Sequence, residues 1–191
     1  MDLRERDFEA FFAAPFEIYD PASPYVSPMR SDLKRFFTAG ENPLFPSDSD
    51  FTYFTVHREG RLLGRISAHA HPASNALHKT NLGYFGYFDC ADDAEAATTL
   101  LSAAETWCRA KGFAAIAGNF NLTAMQQIGV TTGGFDAVPY VDQVYSPPHI
   151  ARLLEANGYA AEFPMRTFEV ELAGEIADAI ERAERPRKFG K

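Results

Sequence analysis

Residues 81–120 read NLGYFGYFDC ADDAEAATTL LSAAETWCRA KGFAAIAGNF. The aromatic residues and glycines from Leu82 to Asp89 indicate a β-strand, and a helical pattern begins at Asp92. Lys111-Gly112 ends that helix, and Phe113 to Ala117 follows as a short buried strand. Strand, helix and strand form one βαβ unit, which predicts two parallel strands joined by a right-handed crossover. The helix has one apolar face with three- and four-residue spacing, formed by Ala97, Leu100, Leu101, Ala104, Trp107 and Cys108.

The segments on both sides extend this unit into a predicted single α/β domain of residues 1–191. Residues 1–50 are its helical N-terminal part, 51–172 contain the sheet and its helices, and 173–191 form a C-terminal helix and a basic tail. Apolar periodicity gives the elements, and prolines and glycines mark their ends. The predicted elements are helices Leu3–Tyr19 and Ser27–Thr38, hairpin strands Phe51–His57 and Arg61–His69, a loop at 71–79, an irregular segment at 119–142, helix Pro147–Asn157, strand Ala160–Leu172 and helix Glu175–Glu184.

The composition narrows the classes of function. A net charge of −8 disfavours nucleic-acid binding, because a phosphate backbone is met by a basic surface. No apolar run approaches the roughly 18 residues of a membrane helix, so no membrane partner is predicted. The acidic start MDLRERD lacks the apolar core of a signal peptide. Cys90 and Cys108 lie in apolar elements and are predicted to be reduced core thiols of a cytoplasmic protein.

Three strings of the chain resemble the GNAT superfamily of acyl-CoA N-acyltransferases: TVHREGRLLGRI at 55–66, ATTLLSAAETWCRAKGF at 97–113 and IARLLEANGY at 150–159. The resemblance implies a GNAT-like mixed sheet with a central βαβ unit and flanking helices. Shorter strings resemble a bacterial GNAT-like group of unassigned role whose members often continue into a second similar domain. A homodimer, or a second GNAT-like domain in trans, is therefore an expected partner. The shorter strings are GYFGYFD at 83–89, AAETW at 103–107, IAGNFN at 116–121, GGFD at 133–136 and YSPPH at 145–149.

The resemblance also implies that acetyl-CoA or another acyl-CoA binds as co-substrate in a cleft between the two parallel strands. The backbone of Tyr87, Phe88 and Asp89 would bind the pantetheine arm. Asn119 and Asn121 end the second strand, where a side-chain amide can hold a carbonyl group or cap the loop through an Asx turn. These residues are the candidate cofactor-binding residues, together with Ala97 in the turn that would hold the pyrophosphate.

That turn departs from the superfamily pattern. The superfamily reads [QR]-x-x-G-x-[GA], whereas residues 92–97 read DDAEAA and only the final alanine fits. A pyrophosphate would therefore face three carboxylates at the helix N-terminus. Asp92-x-x-Glu95 also fits a capping box, which stabilises a helix without any ligand. The pyrophosphate is then either displaced towards Arg109 or Lys111, or the domain does not use CoA.

The catalytic positions that the resemblance implies are also altered. The superfamily commonly has a Tyr four residues before the helix-ending glycine, where it protonates the leaving thiolate, but Leu154 stands there in this chain. Tyr145 is the candidate acid, or a tyrosine that packs in a loop or core. Asp142, His149 and Glu105 are candidate bases for the amine proton, the last two being alternatively exposed helix residues.

His69-Ala70-His71 places two imidazoles on one face of a strand without a third ligand, so no metal site is predicted. Two functions fit the residues. One is an acyl-CoA-dependent N-acyltransferase in which a small-molecule or peptide amine attacks the thioester directly. The alternative is a non-catalytic GNAT-like binding or dimerisation module that has lost CoA chemistry. The acidic turn and Leu154 favour the module, and the prevalence of enzymes in the superfamily favours the acyltransferase.

Overall fold

A computed structural model describes residues 1–38, 40–42, 44–45, 47–123, 127–140 and 143–168 of the chain. The chain divides into two units, Met1–Ala160 and Ala161–Lys191. In the second unit, residues 161–168 form neither helix nor strand, so the predicted strand Ala160–Leu172 is wrong over that part. The segment has the apolar alternation of a strand but forms no backbone ladder among the described residues. The rest of that strand, and the predicted helix Glu175–Glu184, lie outside them.

The first unit is built on a mixed sheet. Its elements are β1 Asp2–Glu5, α1 Phe8–Ile18, α2 Arg30–Phe36, a short 3-10 helix Asp48–Asp50, β2 Phe51–Arg58, β3 Arg61–Ala70, α3 Pro72–His78, β4 Leu82–Cys90, α4 Ala94–Ala110, β5 Ala115–Ala117, β6 Phe120–Asn121, β7 Gln127–Ile128 and α5 Pro148–Ala156. Five strands lie in the order β1-β2-β3-β4-β5. All neighbours are antiparallel except β4 and β5, which are parallel. Strands β6 and β7 form a separate antiparallel pair.

The predicted βαβ unit is confirmed as β4, α4 and β5. Asp93, rather than Asp92, caps the helix, because its side chain accepts a hydrogen bond from the backbone N–H of Ala96. Gly112 follows the helix with φ 82°, a conformation that favours glycine. Strand β5 covers only three residues of the predicted strand at 113–117. It is partly exposed rather than buried, because it lies at the sheet edge.

Two stretches differ from the prediction, one at the N-terminus and one at 71–79. The predicted helix from Leu3 is wrong at its start, since the first residues form β1. The chain then turns at Arg6 (φ 60°), and Asp7 caps α1 by accepting from the N–H of Ala10. Pro15 lies inside α1 without ending it. Helix α3 occupies the predicted loop at 71–79, with Pro72 at its first position, where the missing N–H is no loss.

Helices cover both faces of the sheet. Alternating residues of β2 contribute to two separate cores, as expected for a strand buried on both faces. In the first core, Phe54 packs with α4 and α5, and in the second core, Tyr53 packs with α1 and α2. Cys90 and Cys108 are buried and unpaired, as predicted for core thiols. No helix in the described ranges is long and apolar enough to cross a membrane.

The N-terminal aromatic residues pack mainly on the chain's own sheet. Phe11 lies in edge-to-face contact with Phe37, Tyr53 and Tyr87, with ring centroids 5.0 to 5.8 Å apart. Phe8 and Phe12 of the same helix pack against this core, whereas Phe16 is exposed. Phe8, Phe11 and Phe12 therefore contribute to the second core.

Candidate functional site

The two parallel strands diverge soon after they meet. They pair over three positions, from Leu82↔Ala115 to Tyr84↔Ala117. Beyond this point β6 lies against β4, and the approach is close at Gly86. A Cβ atom built there would be 1.8 Å from the backbone oxygen of Phe120. The gap where the resemblance implies a cleft is therefore occupied by the chain itself.

A β-bulge in β4 directs two backbone amides into this gap. Arg65 pairs with Asp89 and Ser67 pairs with Gly86, so the two residues Tyr87 and Phe88 face a single residue of β3. Tyr87 has φ 47°, which lies in the left-handed region that is unfavourable for a tyrosine. Their N–H groups are consequently directed away from the antiparallel ladder.

The side chains of Asn119 and Asn121 accept from these amides. The Oδ1 of Asn121 accepts from the N–H of Tyr87 at 2.6 Å, and the Oδ1 of Asn119 accepts from the N–H of Phe88 at 3.3 Å. The Nδ2 of Asn121 donates to the Oε1 of Gln127 at 2.9 Å, which fixes the orientation of the amide. The structure thus brings together four of the predicted cofactor-binding residues. The two asparagines bind the strand amides that the resemblance assigns to the pantetheine arm.

The N-terminus of α4 is closed by charged side chains. The guanidinium of Arg58, at the end of β2, donates to Asp93 at 2.5 Å and to Glu95 at 2.9 Å. Arg152 of α5 forms an ion pair with Asp92. The hydrogen bond from Arg58 is the main cause that lowers the pKa of Asp93. The carboxylates and arginines thereby occupy the place where a helix would bind an anion.

The other residues predicted for the turn do not face this place. Ala97 is buried in the first core, and its N–H donates to the carbonyl of Asp93 inside the helix. Arg109 and Lys111 lie at the opposite end of α4, where Arg109 pairs with Glu105 and Lys111 lies over the ring of Trp107. Displacement of a pyrophosphate towards them has no support in this geometry.

Asp89 belongs to a buried polar cluster on the face covered by α1. Its carboxylate accepts from the Nε of Arg65 at 2.7 Å and from the hydroxyl of Tyr19. The Nη1 of Arg65 donates to the carbonyl of Phe11 at 2.9 Å, which ties α1 to the sheet. Burial, and then the charge of Asp89, raises the pKa of Tyr19 well above its usual value. Tyr19 therefore stays a neutral donor to the carboxylate.

The candidate catalytic residues lie at the edge of this region. The ring of Tyr145 is in edge contact with Tyr19, with centroids 5.4 Å apart, and lies 6.3 Å from the ring of Tyr25. The Nε2 of His149 lies 2.8 Å from the carbonyl oxygen of Cys90, the last residue of β4. Asp142 lies outside the described residues.

Three further points of the sequence analysis concern side chains away from the gap. Leu154 is buried in the first core. The carboxylate of Glu105 accepts from the hydroxyl of Tyr159 at 2.9 Å, so this charge has a partner within the chain. The rings of His69 and His71 are in contact, with centroids 5.2 Å apart. Among the residues that the structure describes, no three His, Cys, Asp or Glu side chains are grouped to hold a metal ion.

Sequence reasoning missed Arg58, Arg65 and Arg152 as parts of these sites. A signal exists for Arg65, because a charged residue at an inward position of an apolar strand requires a buried partner. No comparable signal exists for Arg58 and Arg152, whose partners are 35 and 60 residues away in the chain.

The fold is that of the GNAT acetyltransferases. The structure of AAC(6')-Iy in complex with the bisubstrate analogue CoA-S-monomethyl-acetylneamine matches with a TM-score of 0.51 and 13% identity, over 89% of this chain and 97% of that one. This likeness establishes the architecture. No protein-family model matches the sequence.

Two curated proteins are similar in sequence. A bacterial ceramide synthase from Caulobacter vibrioides is 28% identical over 177 residues, which is 92% of this chain and 46% of that protein. Protein YghO from Escherichia coli is 27% identical over 157 residues, which is 82% of this chain and 40% of that protein. The chain thus spans less than half the length of these relatives.

Proposed function

We propose that the chain is a cytoplasmic GNAT domain that acts in the transfer of an acyl group from acyl-CoA to an amine. The observation that carries the proposal is the pair of bulged amides at Tyr87 and Phe88, each bound to an amide carbonyl in the gap between parallel strands. Pantetheine carries carbonyls of the same chemistry. Because ceramide is an N-acylated long-chain amine, the similarity to a ceramide synthase favours an acceptor of that class.

His149 and Tyr145 fit the proton transfers of such a reaction. A carbonyl oxygen only accepts hydrogen bonds, so the Nε2 of His149 donates to the carbonyl of Cys90, and in the neutral imidazole this leaves the lone pair on Nδ1. The amine nitrogen attacks the thioester carbon, the C–S bond breaks, and Nδ1 takes the proton that the amine loses. The hydroxyl of Tyr145 supplies the proton that the leaving thiolate gains. No covalent intermediate with the protein is needed.

The second candidate is a non-catalytic GNAT-like module that binds a ligand or partner without CoA chemistry. The closed N-terminus of α4 favours it. Three carboxylates surround this end of the helix, and Asp93 already accepts from the first turn. A pyrophosphate would be repelled by these charges and would compete with the cap.

The two candidates are separated by titration of the chain with CoA and with pantetheine, which lacks the nucleotide. For the acyltransferase, replacing both Asn119 and Asn121 by Ala should strengthen the binding of both compounds, because the strand amides lose their internal acceptors. Asn81→Ala, which removes an exposed hydrogen bond to Gly112 outside the gap, is the matched control. Thermal unfolding of each variant verifies that it is folded.

A second pair of changes tests the phosphate position. Asp92→Asn combined with Glu95→Gly should strengthen the binding of CoA and leave that of pantetheine unchanged, because only CoA carries the pyrophosphate. Release of free thiol on mixing acyl-CoA with a long-chain amine measures the transfer itself. No binding by any variant, and no thiol release, would refute the acyltransferase and support the module.

A further inference from the structure

The outer edge of β1 is an open sheet edge within the described fold, since β1 pairs with β2 alone. The N–H of Arg6 donates to the carbonyl of Tyr53, the residue opposite it, at 2.9 Å. This bond shows which residues of β1 exchange hydrogen bonds with β2. In an antiparallel pair every second residue exchanges hydrogen bonds with its partner. The even-numbered residues of β1 are therefore bonded to β2, and the backbone groups of Leu3 and Glu5 point outwards. Such an edge is a template for another strand.

We propose that β1 pairs antiparallel with β1 of a second copy, about a two-fold axis at Leu3, so that the chain forms a homodimer. The outward backbone groups require odd-numbered residues to face odd-numbered residues. Registers centred on Asp2, Arg4 or Glu5 satisfy this, but each places a charge opposite the same charge. The register centred on Leu3 places Asp2 opposite Arg4 of the partner subunit, twice. Opposite charges in directly facing positions stabilise a strand pair, and like charges destabilise it.

The surface beside this edge fits the same arrangement. The side chains of Leu3 and Glu5 share a face with Val56 and Phe54, the face covered by α4. A groove of about 890 Å³ lies between β1 and α4, and Leu3, which is 41% exposed, lies at its edge. An axis perpendicular to the sheet places both α4 helices on one face, so the two grooves join above the paired β1 strands. The α4 residues that line each groove are mostly small: Ala94, Thr98, Thr99, Ser102, Ala103 and Thr106.

The test measures molar mass by light scattering and sedimentation over a range of concentrations. The wild-type chain should have twice the mass of one chain. Arg4→Asp alone and Asp2→Arg alone place like charges opposite each other, so each variant should be monomeric. Mixing these two variants pairs an acid with an arginine at every position and should restore a dimer that contains one chain of each kind. A chain that carries both Asp2→Arg and Arg4→Asp should also be dimeric, because each facing pair again joins opposite charges.

Arg35→Asp is the matched control, because Arg35 is exposed and paired with Asp32 at 3.7 Å on α2; this variant should stay dimeric. Formation of the mixed dimer shows that β1 is still presented in both single variants, so loss of folding does not confuse the result. A wild-type chain that is monomeric at all concentrations would overturn the proposal. Dimeric single variants, or a mixture that stays monomeric, would also overturn it. The outcome does not depend on acyl transfer.

Discussion

Replacing His69 by Phe should make the fold much less sensitive to acid. His69 is fully buried, and neither ring nitrogen has a hydrogen-bond partner among the described residues. Its ring lies among those of Phe45, His71 and Tyr84, at centroid distances of 5.2 to 5.8 Å. Burial is the main cause that lowers the pKa of His69 to about 3, and the charge of His71 adds to it.

The magnitude follows from linkage. A group whose pKa is depressed in the folded state contributes its stability above the unfolded pKa, and that contribution is lost as the pH falls. With an unfolded pKa of about 6.5, protonation of His69 in the unfolded chain lowers the free energy of unfolding by roughly 2–3 kcal/mol as the pH falls from neutral to about 4.5. At neutral pH, Phe should change stability by about 1 kcal/mol or less, because an unpaired polar ring is replaced by an apolar ring of similar shape.

The assay is urea unfolding of wild type and variant at neutral pH and near pH 4.5. The difference in unfolding free energy between the two proteins is free of the titration of groups that the substitution does not touch, because those groups titrate alike in both. At the lower pH this difference should grow by about 2 to 3 kcal/mol in favour of the variant. His78→Phe, the same change at an exposed histidine, should not alter the pH dependence. Parallel loss of stability in wild type and His69→Phe would refute the reasoning.

Three further changes test the packing and electrostatics of the site by urea unfolding. Asp93→Ala should lower the free energy of unfolding by about 1 kcal/mol, because it removes the helix cap. Asp92→Ala, which removes an exposed ion pair, should lower it by about 0.5 kcal/mol or less. Equal losses would contradict the assignment of the cap. Gly86→Ala should cost about 3 kcal/mol or more, because the new Cβ meets the backbone of β6, and Gly133→Ala, with open space around it, is the control. Asp89→Asn should cost about 3–5 kcal/mol, because it leaves a buried guanidinium without its counter-ion; a loss below 1 kcal/mol would show that this pair is solvated.

The parts of the fold that sequence reasoning predicted share one property: local residues determine them. The apolar face of α4, the turn between β2 and β3 and the glycine at the end of α5 all lie within single elements or at their ends. Helix α3 and strand β1 were missed because each is too short for its periodicity to differ from that of a loop or a helix end.

The sequence indicated four residues that prove to be neighbours, but it did not indicate their contacts. The resemblance to the GNAT superfamily pointed to Tyr87 and Phe88, the end of the second strand pointed to Asn119 and Asn121, and the structure brings the four together. That the asparagines would bind the strand amides depends on how β6 returns to β4, which no local pattern encodes. The same holds for the arginine at position 58, since its carboxylate partners are on another element.

The asparagine side chains in the gap would compete with a ligand of the kind proposed above, because they already bind the backbone amides of Tyr87 and Phe88. A side chain tethered a few atoms from its donor acts at an effective concentration of roughly millimolar or higher. A compound that offers one carbonyl group to Tyr87 or Phe88 must exceed that concentration before it displaces the side chain. A ligand that engages both amides, and gains further contacts elsewhere, has the advantage of several bonds at once. For the ligand binding proposed above, the gap would therefore discriminate by the number of simultaneous contacts and favour extended ligands over small ones.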